Sequence, residues 1–381
     1  MKERPSYILF ITDQQRYDHL GCNGHPVLRT PNIDAMAAEG VCHDRFYVAS
    51  PVCMPNRASL MTCRMPSSHG TRSLGIPLDH DNVTFVELLA AAGYNTCLIG
   101  KSHLQNVSDF DIQIEPTKHR KGFTAPPDDL NVATRSDLDN DTYQYERQAY
   151  WDKTDPKVPI PFYGFKEYFA VMRHGFNTGG DHLEWVKKNA PETLALRGRD
   201  KQFDHDFTVP QAIRTKVPEE HYSTTYIADR AVEWLEARRS NDKPFLLMVS
   251  FPDPHHPFTP PGKYWDMYKP EDMVVPAAYE ADDWDPPEYV KVAERDRAKD
   301  PSLGQMAGYS VAVSKQEALE ARALTCGMIS MIDDAVGRVR AAATDAGVAD
   351  NTVQIYTSDH GDHLGEHRLL FKGAEQYDSL T

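Results

Sequence analysis

The apolar positions of this chain fall into two patterns. Unbroken apolar runs of strand length read as strands buried on both faces, and apolar residues three and four apart read as helices. Tyr7-Ile8-Leu9-Phe10-Ile11-Thr12 is a run of the first kind, as are Tyr94 to Ile99, Pro244 to Phe251 and Thr352 to Thr357. Between them the spacing predicts helices. Thr30-Pro31-Asn32-Ile33-Asp34 opens a short one, with Ile33, Met36 and Ala37 on one face and a stop at Gly40. Thr84 caps a second, Phe85 to Ala92, closed by Gly93. A third runs from Ser223 to Arg239, with Ile227, Ala231 and Trp234 on its apolar side, and a long fourth from about Ser314 to Ala346. Alternating strands and helices predict an α/β fold, a mostly parallel sheet sandwiched by helices.

Two stretches, about 105–220 and 258–314, lack periodicity and are rich in proline and polar residues. They read as long irregular insertions over the sheet of one catalytic domain, 1–381, and not as independent domains; loops of this length are uncommon unless functional. The chain closes on Gln376-Tyr377-Asp378-Ser379-Leu380-Thr381 without a closing element, which reads as a cut in the middle of a fold.

The polar positions carry the chemistry. Each of the four strand runs ends in a polar cluster: Asp13-Gln14, Lys101 with His103, His255-His256, and Asp359-His360. Open α/β sheets bind ligands at the carboxyl ends of their strands, so the four clusters are expected to share one site. Two carboxylates (Asp13 and Asp359), an amide oxygen (Gln14) and an imidazole (His360) suit one divalent cation. The imidazole tilts the choice toward Mn2+, with Ca2+ beside it and Mg2+ or Zn2+ as further options. The competing reading is a helix-capping Asp and a hydrogen-bonded loop His. Arg57, Lys101, His103, His255 and Lys372, brought together, would hold a tetrahedral oxyanion and supply a proton to a leaving alcohol. Taken singly, Lys372 reads as a surface residue and His256 as a turn residue. His174, His182, His205 and His221 carry no spacing signal and read as ordinary surface or loop residues.

One stretch binds these clusters together. In Ser50-Pro51-Val52-Cys53-Met54-Pro55-Asn56-Arg57-Ala58-Ser59-Leu60-Met61-Thr62, a proline two residues after Cys53 suits the first turn of a helix. Cys53 is thus expected at or just before a helix N-terminus, where free N–H groups favour an anion. Arg57 lies about one turn on and can point back to the same spot. On this spacing alone, a buried structural cysteine before an ordinary helix fits equally well.

Composition narrows the partners. The 381 residues are 40% hydrophobic and 25% charged, an ordinary globular balance with room for a large core. A formal net charge of −15 argues against nucleic acid and against an anionic membrane surface, but not against an anionic substrate held by a local basic cluster. No apolar run approaches the ~20 residues that span a bilayer. The first run is also too short for the core of a signal peptide. The six cysteines show no metal-finger spacing, and the expectation is reduced thiols in the cytoplasm.

Together these segments resemble the type I sulfatases of the alkaline-phosphatase superfamily. Cys53-Met54-Pro55-Asn56-Arg57 resembles that family's C-x-P-x-R signature. Gly100-Lys101-Ser102-His103 resembles its G-K-x-H segment and Pro254-His255-His256-Pro257 its P-H-x-P segment. Thr357-Ser358-Asp359-His360-Gly361, with Gly365, His367 and Lys372, resembles its S-D-[HN]-G…K block, and Thr30-Pro31-Asn32-Ile33-Asp34 its T-P-N-[IL]-D helix start. The matches run in order along nearly the whole chain. There are departures. Asp13-Gln14 stands where many sulfatases have Asp-Asp, and His360 where many have Asn; both resemble the phosphonate monoester hydrolase branch. Lys101 and His103 keep the sulfatase pattern, where that branch has Tyr and Thr. Cys63 replaces the usual Gly after Thr62.

The resemblance implies an alkaline-phosphatase-like fold whose smaller C-terminal subdomain is missing or truncated in this chain. It implies hydrolysis of a sulfate ester to an alcohol and inorganic sulfate on one divalent metal held by Asp13, Gln14, Cys53, Asp359 and His360. Cys53 would be converted to Cα-formylglycine by a formylglycine-generating enzyme and hydrated to a diol that attacks sulfur. Arg57 would stabilise the diol, Lys101 and Lys372 would bind the sulfate oxygens, and His255 would assist the leaving alcohol. His103 would take the proton that expels sulfate and restores the aldehyde. Phosphonate monoester or phosphodiester hydrolysis at the same site remains the alternative within enzymes. A non-catalytic anion-binding homologue with unmodified Cys53 is the alternative outside them. Neither nucleic acid nor a membrane is an expected partner; a homo-oligomer is left open, with the Pro- and Tyr-rich insertion as the candidate interface.

Overall fold

The computed structural model of the protein describes residues 4–107, 141–153, 158–238, 243–280, 284–305, 309–373 and 375–380. The first insertion's residues 108–140 therefore lie outside the described residues, as does the end of the chain at Thr381. The four expected strands are present as β1 (Ser6–Thr12), β2 (Asn95–Gly100), β5 (Phe245–Ser250) and β7 (Thr352–Ser358). They lie side by side in the order β2-β5-β1-β7, all parallel. The register pairs Gly100 and Ile11 with Ser250, and Thr12 with Ser358, so the four carboxyl ends fall on one edge. That alignment carries the four polar clusters to a common place.

The sheet is wider than the sequence predicts. The first irregular stretch supplies β3 (Glu167–Met172), parallel to β2, and a two-residue β4 (Gly179–Gly180), antiparallel to β3. The expectation of loops and short elements over the sheet is corrected here. Tyr168-Phe169-Ala170-Val171-Met172 is itself an apolar run of strand length, but it is flanked by an irregular, polar sequence that hides it. The second irregular stretch likewise holds a helix, Glu288–Lys299, and β6 (Val311–Ala312), which pairs with β8 (Leu369–Leu370) and so sets the position of Lys372 just beyond.

Helices cover both faces. On one side Ile8, Phe10, Ile99, Leu247 and Val249 pack against α1 (Pro31–Glu39), α4 (Ser223–Glu236) and α5 (Lys315–Asp345) through Ile33, Ile227, Trp234, Ile332 and Val336. On the other, Leu9, Ile11, Leu98, Leu246 and Met248 pack against α2 (Cys53–Thr62) and α3 (Phe85–Ala91) through Ala58, Met61 and Val86. Alternate strand residues thus serve opposite layers, and each fully buried Leu, Ile or Phe contributes about 1.5–3 kcal/mol. The predicted helix starts hold. Thr84 with Glu87 and Ser314 with Glu317 both form capping boxes. The N-terminus of α1 is capped from α5 instead, by Asp333, whose carboxylate accepts from Asn32 N and Ile33 N. Among the described residues no helix is long and apolar enough to cross a membrane.

Candidate active site

Cys53 is the first residue of α2, as its Pro55 requires, with Val52 extended before it. The helix ends where Cys63 takes the left-handed conformation, φ 56°, which explains why glycine is the easy residue there. Cys53 is buried, and its Sγ lies 3.3 Å from His360 Nε2. Arg57, one turn on, reaches back under it. Its Nε donates to Asp359 Oδ2 at 2.7 Å and its Nη2 to Asp13 Oδ2 at 3.3 Å. Its Nη1 donates to Lys101 O and Ser250 Oγ, both at 3.0 Å. One guanidinium therefore joins the ends of β1, β2, β5 and β7. Asn56 adds a tie, with Nδ2 donating to Asp359 O and Oδ1 accepting from Ala49 N.

The Lys101 turn depends on Gly100. Its φ is 115°, and a Cβ there would stand 1.8 Å from Ser250 O, so only glycine fits. Lys101 is fully buried and donates to Asp13 Oδ2 and, at 2.6 Å, to His174 Nε2. His103 follows with φ 58°, its backbone N–H held by Glu146 Oε1 at 2.7 Å, while Gln105 N donates to Glu146 Oε2 at 2.6 Å. The His103 Nδ1 is buried without a partner among the described residues.

On the far side, Lys372 Nζ donates to Gln14 Oε1 and, at 2.7 Å, to His255 Nε2. An ammonium only donates, so His255 Nε2 accepts and its Nδ1–H donates to His256 O. Gln14 then presents its Nε2 to His256 Nδ1 at 3.0 Å and to Asp362. Gln14 thus gives its amide oxygen, the atom expected on a metal, to Lys372 instead, while its backbone N–H holds Asp359 Oδ1 at 3.0 Å.

Asp13, Cys53, Asp359 and His360 each offer one ligand atom, all within 4.8 Å of one another and all buried. Asp13 Oδ1 has no hydrogen-bond partner among the described residues, although the residue is fully buried. A buried, ionised oxygen without a donor, facing an imidazole and a second carboxylate, fits a divalent cation.

The electrostatics suit an anion. Arg57, Lys101 and Lys372 are three buried cations against the carboxylates of Asp13 and Asp359. Burial alone would raise the Asp13 pKa, but Lys101 and Arg57 outweigh it and hold the carboxyl well below its usual range. Burial and Asp13 push the Cys53 thiol up, and Lys372, Lys101 and His360 bring it below its ordinary value. Burial and the neighbouring lysines hold His103, His174 and His255 well below the usual histidine range, so these rings are neutral.

The structure brings all ten sequence-identified residues to one edge of the sheet: Asp13, Gln14, Cys53, Arg57, Lys101, His103, His255, Asp359, His360 and Lys372. Lys372 is buried, as its place in the expected anion site requires and contrary to its reading taken singly, and His256 is buried and bonded to Gln14 where a turn residue is the reading taken singly. His174 is not an ordinary loop residue. It stacks on the His255 ring at 3.6 Å between centroids and 10° between planes, and bonds Lys101. His174 was hidden because it follows β3, the strand that the sequence pattern misses. His182 is also buried, but it bonds Thr178 and His221 O, away from the site.

Comparison with known proteins agrees with this geometry. A family model described as Sulfatase matches residues 5–157 and 170–380. The chain is 28% identical over 372 residues to an arylsulfatase of Clostridium perfringens, covering 97% of this chain and 66% of that protein. It is 29% identical over 378 residues to a multifunctional alkaline phosphatase superfamily protein of Trinickia caryophylli, covering 97% of this chain and 65% of that one. It thus spans just under two thirds of those relatives' lengths. The crystal structure of a phosphonate monoester hydrolase of Agrobacterium radiobacter shares the fold, with TM-score 0.68 and 24% identity over 99% of this chain and 66% of that chain.

Proposed function

Because this chain belongs to the sulfatase family, we propose that it hydrolyses a sulfate ester to an alcohol and inorganic sulfate, with Cys53 as the precursor of the nucleophile. The observation that carries this reading is the position of Cys53. It heads a helix, lies 3.3 Å from His360, and stands beside three buried cations.

In this reading a maturation enzyme of the formylglycine-generating kind, drawing on an external two-electron oxidant, converts the Cys53 thiol to an aldehyde with loss of its sulfur as sulfide, and the aldehyde hydrate supplies one hydroxyl to attack the ester sulfur and a second to release it. Asp13, Asp359 and His360, with the residue at 53, would hold one divalent cation, which supplies charge neutralisation and acidifies the hydroxyl. Arg57 fixes the two carboxylates in place through its contacts to Asp13 and Asp359. Lys101 and Lys372 would bind the oxygens of the sulfuryl group and offset its charge as it grows in transfer. The leaving alcohol takes its proton from the Lys372–His255 pair, already joined at 2.7 Å. His103, neutral and with a free Nδ1, accepts the proton of the second hydroxyl. The proposal includes a small anionic ester as substrate and a cytoplasmic setting, in keeping with six cysteines that form no disulfide.

A second reading, phosphonate monoester hydrolysis, is favoured by Gln14 and His360 at the carboxylate cluster. Rates on an aryl sulfate and an aryl phosphonate monoester, measured side by side, separate the two. Full activity of Cys53→Ala on either ester would remove the nucleophile assignment. So would an unmodified thiol in the Cys53 peptide, read by intact mass from active protein co-expressed with the maturation enzyme.

A further inference from the structure

The two site lysines are held in the same way. A lysine ammonium has three protons. Lys372 gives one to Gln14 Oε1 and one to His255 Nε2, and Lys101 gives one to Asp13 Oδ2 and one to His174 Nε2. Among the described residues each keeps one donor. The two acceptor rings lie flat on each other, 3.6 Å apart. His255 is anchored from behind by its Nδ1–H on His256 O. His174 has its side chain 17% exposed, and because Lys101 can only donate, its proton resides on Nδ1. With Nε2 occupied by a lysine on both rings, the Asp13–His174–His255 group does not offer its imidazole lone pairs to a second metal ion.

We infer that His174 is a positioning residue: its Nε2 accepts one ammonium proton of Lys101 and, with Asp13, aims the remaining one at an oxygen of the bound sulfuryl or phosphonyl group. A lysine stem has four rotatable bonds, and a single carboxylate contact leaves the ammonium free to turn about it. A second fixed acceptor removes that freedom before substrate arrives, which is the preorganisation that electrostatic catalysis needs. The imidazole does this without adding charge. A carboxylate at the same place would cancel the cation that the anionic substrate requires. This inference rests on the functional reading above for the identity of the group bound, but not for the hydrogen bond itself.

The test compares His174→Phe, which keeps a flat ring over His255 and removes the acceptor, with His174→Gln, whose amide oxygen reaches to where Nε2 stands. Circular dichroism establishes that each is folded; should H174F not fold, H174L replaces it, since the contrast is acceptor against no acceptor. Two readouts are taken: kcat/KM with its pH profile on the better ester, and the Kd of inorganic sulfate by calorimetry. A lost charge-assisted hydrogen bond corresponds to a change of about tenfold or more. H174F is expected to lose at least that in kcat/KM and to bind sulfate correspondingly more weakly. H174Q recovers most of both, and its pH limbs stay where the wild-type limbs are, because His174 transfers no proton. Unchanged kcat/KM and sulfate affinity in H174F overturn the inference. So does H174Q as impaired as H174F, or a pH limb lost in H174Q. If wild type turns over neither ester yet binds sulfate in a His174-dependent way, the functional reading falls and the inference stands. If wild type is inactive and binds no sulfate, both fall.

Discussion

His360 Nε2 lies 3.3 Å from Cys53 Sγ, across 307 residues of sequence. One group sits at the end of β7, the other at the head of α2, and Asp13 and Asp359 complete a buried set whose ligand atoms lie within 4.8 Å. Adding Mn2+ or Ca2+ to chelator-treated protein is therefore expected to raise its Tm. The gain approaches about 2.7 kcal/mol when the ion is at a hundred times its Kd. His360→Ala, which removes one ligand and leaves Arg57 paired, should shrink the rise severalfold. A Tm indifferent to divalent ions in the wild type would refute the metal site.

Arg57 contacts Asp13, Asp359, Lys101 O and Ser250 Oγ from three different nitrogens. Arg57→Met leaves Asp359 buried without its cation and is expected to cost about 3–5 kcal/mol, near the lower figure because Lys101 still pairs with Asp13. Arg57→Lys should not restore it, since one ammonium cannot reach the four partners. Urea unfolding of the three proteins measures both statements.

Glu146 holds the backbone N–H groups of His103 and Gln105, one on each oxygen. An amide has a single acceptor, so Glu146→Gln strands one of the two donors. The expected cost is about 1–3 kcal/mol in urea unfolding, with kcat lowered and KM held, because the strained His103 turn loosens. Equal kcat in the variant would show that Glu146 is dispensable to the turn.

His19 and His25 form a buried pair away from the active edge, their ring centroids 4.8 Å apart. Burial, with Arg322 nearby, lowers His19 to about 3 and His25 to about 4. An unfolded histidine takes its proton near 6.5, so below that pH the unfolded chain binds protons that the folded chain refuses. Stability contributed by the neutral rings is whole above pH 6.5 and lost as pH falls toward 4. At pH 5 the loss is about 2 kcal/mol for His19 and smaller for the less deeply enclosed His25. His19→Gln should flatten the acid side of a urea-midpoint profile between pH 7.5 and 5; a profile as steep as wild type would count against the assignment.

The central strands and their polar ends were legible because a fully buried strand must be apolar throughout, and its polar residues are pushed to its end. That rule located β1, β2, β5 and β7 and, with them, Asp13, Lys101, His255 and Asp359. It failed for β3, where Glu167 and a polar surrounding mask a five-residue apolar core, and His174 was lost with it. Taken singly, Lys372 and His256 read as surface and turn residues, since burial of a cation or of a ring among prolines leaves no periodic trace; Lys372 entered the expected site through the resemblance of its sequence block.

Sequence by itself determined the four central strands, the Thr84 cap and the cysteine at the head of its helix, because each follows from the local rules of backbone and burial. Only the tertiary structure decided which groups face one another. The parallel register sets four strand ends on one edge, and Arg57 and Lys101 then find their partners from segments far apart in the chain. The directions of the hydrogen bonds, from Lys101 to His174 and from Lys372 to His255, belong to that assembly. They are set by which donors and acceptors the folded chain encloses together, and no local pattern records them.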